Sequence, residues 1–172
     1  MFEEYEKFLA KFDKKLADYF ARDKKMIKCQ KGCSFCCKNA NFPLSHLEMR
    51  YLMNAFLHLE KELHDKVRQN IEILKKSNAE FYDCPFLINN VCSVYAYRPL
   101  ICRVHGLAYL MESGKVKLPE CANIDLNYSK NFDGTSINFE PIKEDLNLDK
   151  IYNANKELPF MEFHPMKDWF KN

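Results

Sequence analysis

The sequence predicts a small α+β domain that is mainly helical and carries a cysteine-rich segment, in which apolar residues do not recur at helical spacing. Three observations lead to this prediction. The chain has 172 residues, the size of one domain and enough to bury a core. Apolar residues recur at helical spacing on both sides of the first cysteines. The chain has eight cysteines, and they occur in groups along the sequence rather than evenly spread. We therefore expect one domain over residues 1–172, with its cysteine-cluster region at about 29–121.

Two long segments have the period of amphipathic helices. The first runs from Phe2 to about Arg22, and we assign its aromatic face to the core rather than to a partner. The second begins at Ser45, an N-cap with Glu48 three residues later, and continues as one helix or a kinked pair to about Lys76. No cysteine lies at ligand spacing from the histidines of this segment, so we interpret them as surface or boundary residues. They are His46, His58 and His64.

The remaining segments predict short ribbons, loops and short helices. Helical period ends at Cys84, and residues 86–94 predict a β-hairpin with a positive-φ turn at Asn89-Asn90. The other expected elements are a second ribbon (104–110 with 115–118), an irregular loop (122–140) and two closing helices (148–156 and 165–170).

Charge and hydropathy exclude several classes of protein. Lys plus Arg total 26 and Asp plus Glu total 24, a net charge of +2 that gives no electrostatic case for nucleic acid or an anionic membrane. No apolar stretch approaches the ~20 residues that a bilayer crossing needs. The amino terminus lacks the basic and apolar regions of a secretory signal. We therefore expect a cytoplasmic protein with no nucleic-acid or membrane partner; a protein partner is left open.

In a reducing compartment, this cysteine content indicates metal or thiol chemistry rather than disulfides. Eight free thiolates would take the net charge to about −6, and two divalent ions would restore it to about −2. The alternative, thiols packed in a core on one helical face, is less favoured because Leu and Ile would pack better. The predicted metal ligands are Cys29, Cys33, Cys36, Cys37, Cys84, Cys92, Cys102 and Cys121.

Local sequence refines this set. Because Cys36 and Cys37 are adjacent, we expect divergent side chains, so that the two thiols either serve two centres or leave one as a spare thiol. Arg98 and Arg103 flank Cys102 and are either partners of thiolates or surface residues.

Two motifs resemble a known family. They are Cys33-x2-Cys36-Cys37 and Cys92-x2-Tyr95-x2-Arg98-Pro99-x2-Cys102-Arg103. At these residues the chain resembles the YkgJ-like cysteine-cluster family, described as zinc- or iron-chelating proteins with a CxxCxxCC signature. The first interval here is x3 rather than x2, a departure that falls on Cys29. The family is also similar to the cysteine-rich part of flagellin lysine N-methylases, which implies an iron–sulfur centre as one alternative.

The predicted function is thiolate binding of zinc or iron, as an ion or as an iron–sulfur cluster. The alternative is a modification or redox enzyme that uses the centre and is related to flagellin lysine N-methylase. The sequence has no Gly-rich nucleotide loop and no Ser-His-Asp order, the motifs that would support an enzyme. Metal binding is therefore favoured over an enzyme, and whether the protein is an enzyme is left open. The spacing Cys29-x3-Cys33-x2-Cys36 also matches radical S-adenosylmethionine enzymes, but a long helix precedes it and the chain is shorter than the ~200 residues of such a barrel.

Overall fold

The computed structural model describes residues 2–30 and 32–171, and the chain divides into two compact units. Unit 1 comprises Met1–Gln30 and Ile101–Leu158, and unit 2 comprises Lys31–Leu100 and Pro159–Asn172. Helices dominate both, and the strands described form two-stranded antiparallel ribbons. This confirms the mainly helical α+β class.

The described residues form α-helices, two-residue strands and short 3-10 helices, interspersed along the chain. The helices are α1 (Glu3–Arg22), α2 (Phe35–Lys38), α3 (His46–Leu57), α4 (Lys61–Lys76), α5 (Leu100–Val104), α6 (Leu148–Ala154) and α7 (Met166–Trp169). The strands are β1 (Pro43–Leu44), β2 (Leu87–Ile88), β3 (Val91–Cys92), β4 (Tyr109–Leu110), β5 (Val116–Lys117) and β6 (His164–Pro165). Single 3-10 turns lie at Tyr95–Tyr97, Glu120–Ile124 and Ser129–Asn131.

In unit 1, α1 has the predicted length and the predicted inward face. Its buried side chains recur at steps of three and four, which confirms that the aromatic stripe faces the core. Glutamates in the first turn place negative charge where the helix dipole favours it. The buried residues of the helix are Tyr5, Leu9, Phe12 and Leu16.

In unit 2, α3 and α4 form the kinked pair that the sequence left as an alternative, with the break at residues 58–60. The predicted capping box is present. The Glu48 carboxylate accepts hydrogen bonds from the backbone N–H of Ser45 at 2.9 Å and from its hydroxyl at 2.7 Å, and that hydroxyl accepts one from the Glu48 N–H at 3.3 Å. Glu48 is only 1% exposed and also accepts a hydrogen bond from the N–H of Leu100 at 3.0 Å.

The hairpin of unit 2 and the closing helices confirm the predictions made for them. β2 pairs with β3, and the turn residues Asn89 and Asn90 have φ values of 51° and 60°. Both closing helices are present as α6 and α7, and α7 has Pro165 as its N-cap residue. The indole of Trp169 donates a hydrogen bond to the Leu44 carbonyl at 3.2 Å, which anchors α7 beside β1.

One ribbon prediction is wrong at its start. The second ribbon was expected to begin at Val104, but that residue ends α5, and pairing is limited to β4 and β5. A helix begins at Leu100 instead, because Pro99 directly precedes it and the carboxylate of Glu48, which is distant in the sequence, accepts the Leu100 N–H. The sequence also missed α2 and the β1–β6 ribbon. Among the described residues, no helix is long and apolar enough to cross a membrane.

Candidate metal centre

In unit 2, the segment with Cys33, Cys36 and Cys37 lies against the segment that carries Cys84 and Cys92. The N–H of Cys84 donates to the carbonyl of Cys37 at 2.7 Å. Ala40 and Tyr82 exchange backbone hydrogen bonds of 2.9 and 3.2 Å. Hydrogen bonds therefore align two cysteine-bearing segments that are distant in sequence.

A side-chain contact adds to this alignment at the hairpin turn. The hydroxyl of Ser34 donates to the side-chain carbonyl of Asn90 at 3.1 Å. Ser34 follows Cys33 directly and is the N-cap residue of α2, so this bond fixes the start of the helix that carries Cys36 and Cys37.

The side chains of Cys36 and Cys37 interact with each other, and the expected division of roles between the two thiols stays a prediction. Both residues lie on α2, and successive helical side chains differ by about 100° rather than the 180° of a strand, which rotation about χ1 can close. The bond from Cys37, together with burial, raises the pKa of the Cys36 thiol well above its ordinary value. Two sulfur donors thus lie side by side.

Cys92 lies within electrostatic reach of this pair. Burial raises the pKa of the Cys92 thiol, the charge of Arg98 opposes that rise, and Cys36 adds to it. The Arg98 guanidinium stacks 4.0 Å from the centre of the Tyr95 ring and donates to the Tyr95 carbonyl at 3.1 Å. Arg98 is therefore placed to stabilise a thiolate at Cys92.

Arg103 has a structural role. Its side chain is 2% exposed and forms an ion pair with Asp13 of α1. It is therefore not a surface residue, and its guanidinium links α5 to α1 within unit 1.

Unit 1 holds the three remaining cysteines. Cys29 is exposed, and its sulfur accepts a hydrogen bond of 3.0 Å from the side-chain amide of Asn127. Cys102 is half-buried on α5, and Cys121 is 4% exposed in the 3-10 turn Glu120–Ile124.

His105 was missed by the sequence reasoning, although a signal was present. His105 lies three residues after Cys102, and cysteine and histidine are both common zinc ligands. Burial lowers the pKa of His105, which keeps its imidazole neutral, the form that binds metals. Asn127 was missed as well, and no local motif marks it.

His46 and His64 are half-buried and His58 is exposed, which agrees with their interpretation as surface or boundary residues. His46 stacks on Trp169 with ring centres 5.6 Å apart, and His64 stacks on Phe56 at 4.3 Å. Nδ1 of His58 lies 2.7 Å from the carbonyl oxygen of Asn54 one turn earlier.

All eight cysteines carry thiols. Across residues 2–30 and 32–171, no three or more His, Cys, Asp or Glu side chains are arranged to hold a metal ion. The eight-cysteine ligand set therefore stays a prediction, supported in unit 2 by the alignment of its two cysteine-bearing segments.

A mainly helical chain rich in free cysteines is typical of cysteine-cluster proteins, because thiolates are soft donors that suit zinc and iron–sulfur centres. The family model CxxCxxCC, described as "Putative zinc- or iron-chelating domain", matches residues 28–125, more than half of the chain. The protein belongs to this CxxCxxCC family. The matched range contains all eight cysteines. No curated protein and no solved structure matches the chain.

Proposed function

We propose that this protein binds zinc or iron through cysteine thiolates. The observation that carries the proposal is the 2.7 Å hydrogen bond from the Cys84 N–H to the Cys37 carbonyl. It holds the segment of the CxxCxxCC signature beside the segment that carries the hairpin cysteine Cys92. Membership of a family described as zinc- or iron-chelating supports the same chemistry.

The donor set of unit 2 fits a thiolate centre. Four thiolates complete a closed tetrahedral zinc site or hold an iron–sulfur cluster. Unit 2 offers five thiols, of which the hydrogen-bonded pair lies on α2. Zinc bound there would stabilise the short hairpin, and iron would add redox chemistry. The five are Cys33, Cys36, Cys37, Cys84 and Cys92.

We also propose the three cysteines of unit 1 as ligands, so that the full set remains the eight expected from the sequence. Their support is that the residues matched by the family described as zinc- or iron-chelating, 28–125, include all three.

An iron–sulfur centre in a modification or redox enzyme is the second candidate. Its support is the contact between the Cys36 and Cys37 thiols, because two neighbouring sulfurs suit a centre with more than one metal atom. The all-thiolate character of the set in unit 2 is equally compatible with zinc.

Metal content after anaerobic purification tests the proposal. We expect at least one zinc or iron per chain, with visible absorption only if an iron–sulfur cluster is present. The double variant Cys84→Ser/Cys92→Ser should lose metal, while Ser93→Ala, a neighbouring change that removes only a hydrogen bond to the Phe86 carbonyl, should retain it. A wild-type protein without either metal, or full retention by the double variant, would contradict the proposal.

A further inference from the structure

Asn127 is a buried amide whose hydrogen bonds fix the direction of its N–H groups. It is 1% exposed. Its oxygen accepts the backbone N–H of Lys28 at 2.8 Å, and its nitrogen donates to the Gly106 carbonyl at 2.8 Å. A backbone N–H can only donate and a carbonyl can only accept, so these two partners exclude the flipped amide. The other N–H is left for the Cys29 sulfur, 3.0 Å away.

Gly106 makes this close arrangement sterically feasible. A Cβ atom at position 106 would lie 2.8 Å from the Asn127 nitrogen and 2.9 Å from the Cys29 sulfur. Gly106 also has a φ of +96°, a conformation that other residues rarely adopt. The backbone turn after α5 is thus shaped to admit both the amide and the thiol.

We propose that Asn127 is a positioning residue for Cys29, which donates an N–H···S hydrogen bond to that sulfur when it binds metal. This inference rests on the proposed function. The sequence departs from the family spacing at Cys29. The hydrogen bond from Asn127, a residue distant in the sequence, would fix the orientation of the Cys29 thiolate.

The chemistry of the contact gives the expected effect. A hydrogen bond to a ligand atom restricts its direction and, when the atom is a thiolate, is charge-assisted. Loss of such outer partners of metal ligands typically lowers metal affinity about 10- to 100-fold. Asn127→Ala should therefore weaken metal binding by this factor.

The test measures Co²⁺ affinity by competition with a chromophoric chelator, and thiolate-to-cobalt charge-transfer absorption reports sulfur ligation. The variants are Asn127→Ala, Cys29→Ser and the double variant. Tyr128→Phe is the matched control, because it removes a buried 2.7 Å hydrogen bond to Asp23 from the next residue. Thermal unfolding without metal checks that each variant folds, and Asn127→Asp replaces the alanine variant in the cycle if that variant does not fold.

We expect Asn127→Ala to weaken Co²⁺ binding about 10- to 100-fold and Tyr128→Phe to leave it unchanged. In a protein that already carries Cys29→Ser, adding Asn127→Ala should weaken Co²⁺ binding little further. An equal loss in both backgrounds, or no loss from Asn127→Ala, would overturn the inference by leaving Asn127 a structural role only.

Two further results separate the inference from the proposed function. If Cys29→Ser binds Co²⁺ as the wild type does, Cys29 is not a ligand; the inference then fails while the proposed function stands. If the wild type shows no thiolate-to-cobalt absorption at all, the proposed function itself fails.

Discussion

Replacing Glu48 by alanine should destabilise unit 2 strongly. The carboxylate is 1% exposed and closes the capping box of α3 through the N–H and hydroxyl of Ser45. It also accepts the N–H of Leu100, the first residue of α5. A single side chain therefore accepts the N–H of the residue that caps α3 and the N–H of the first residue of α5.

The magnitude follows from the donors that the substitution leaves without their acceptor. Each buried donor deprived of its partner costs about 1–3 kcal/mol, so the N–H groups of Ser45 and Leu100 together give about 2–6 kcal/mol. Natural domains have about 5–15 kcal/mol of total stability. For a chain of this size the melting temperature should fall by about 5–20 °C. Glu48→Gln keeps one acceptor oxygen and should have a smaller effect.

Thermal and urea unfolding followed by circular dichroism provide the assay. Glu62→Gln is the matched control, because Glu62 is an exposed helical glutamate paired with Lys66 one turn later. Its melting temperature should equal that of the wild type. If Glu48→Ala unfolds at the same temperature as this control, the Glu48 carboxylate does not hold the two helix starts together.

Three other results are expected. Cys36→Ser and Cys37→Ser should each bind less metal per chain than the wild type. Loss of metal in only one of the two variants would indicate one centre that takes one ligand from the pair. Full metal retention in both variants would contradict chelation by this pair of cysteines. Chelation of the metal should reduce amide-exchange protection over residues 84–121 while α1 and α3 keep their helicity, and unchanged protection in the hairpin would contradict this. Burial and then the hydrogen bond to Glu144 raise the pKa of Tyr19 from 10.0 to about 12, so its contribution to stability is complete below pH ~10 and is lost as the pH rises toward 12. Tyr19→Phe should lack that part of the alkaline loss, and identical pH curves for variant and wild type would refute it.

The sequence was sufficient where a local pattern decides the structure. The apolar period of α1, the Ser45–Glu48 capping box and the Asn89-Asn90 turn each depend on neighbouring residues, and each is present as predicted. It failed where elements are too short to show a period. The single turn of α2 and the two-residue strands β1 and β6 depend on contacts between distant segments.

The same distinction holds for the candidate site. Clustering and spacing identified the cysteines as a group, but the direction of a thiol depends on its rotamer, so the contact between Cys36 and Cys37 could not be derived from adjacency. The hydrogen bond from Asn127 to Cys29 links residues far apart in the chain and has no local signature. His105 is a different case, since its spacing from Cys102 was readable.

Thiolate ligation is tested most directly by X-ray absorption spectroscopy. The protein is purified anaerobically, and the spectrum is recorded at the absorption edge of the metal that it retains. Because the proposed ligands are cysteines, we predict a first shell of sulfur atoms, at about 2.3 Å if the metal is zinc. The double variant Cys84→Ser/Cys92→Ser should lose that shell together with the metal. A first shell made only of nitrogen or oxygen, at about 2.0–2.2 Å for zinc, would contradict the account.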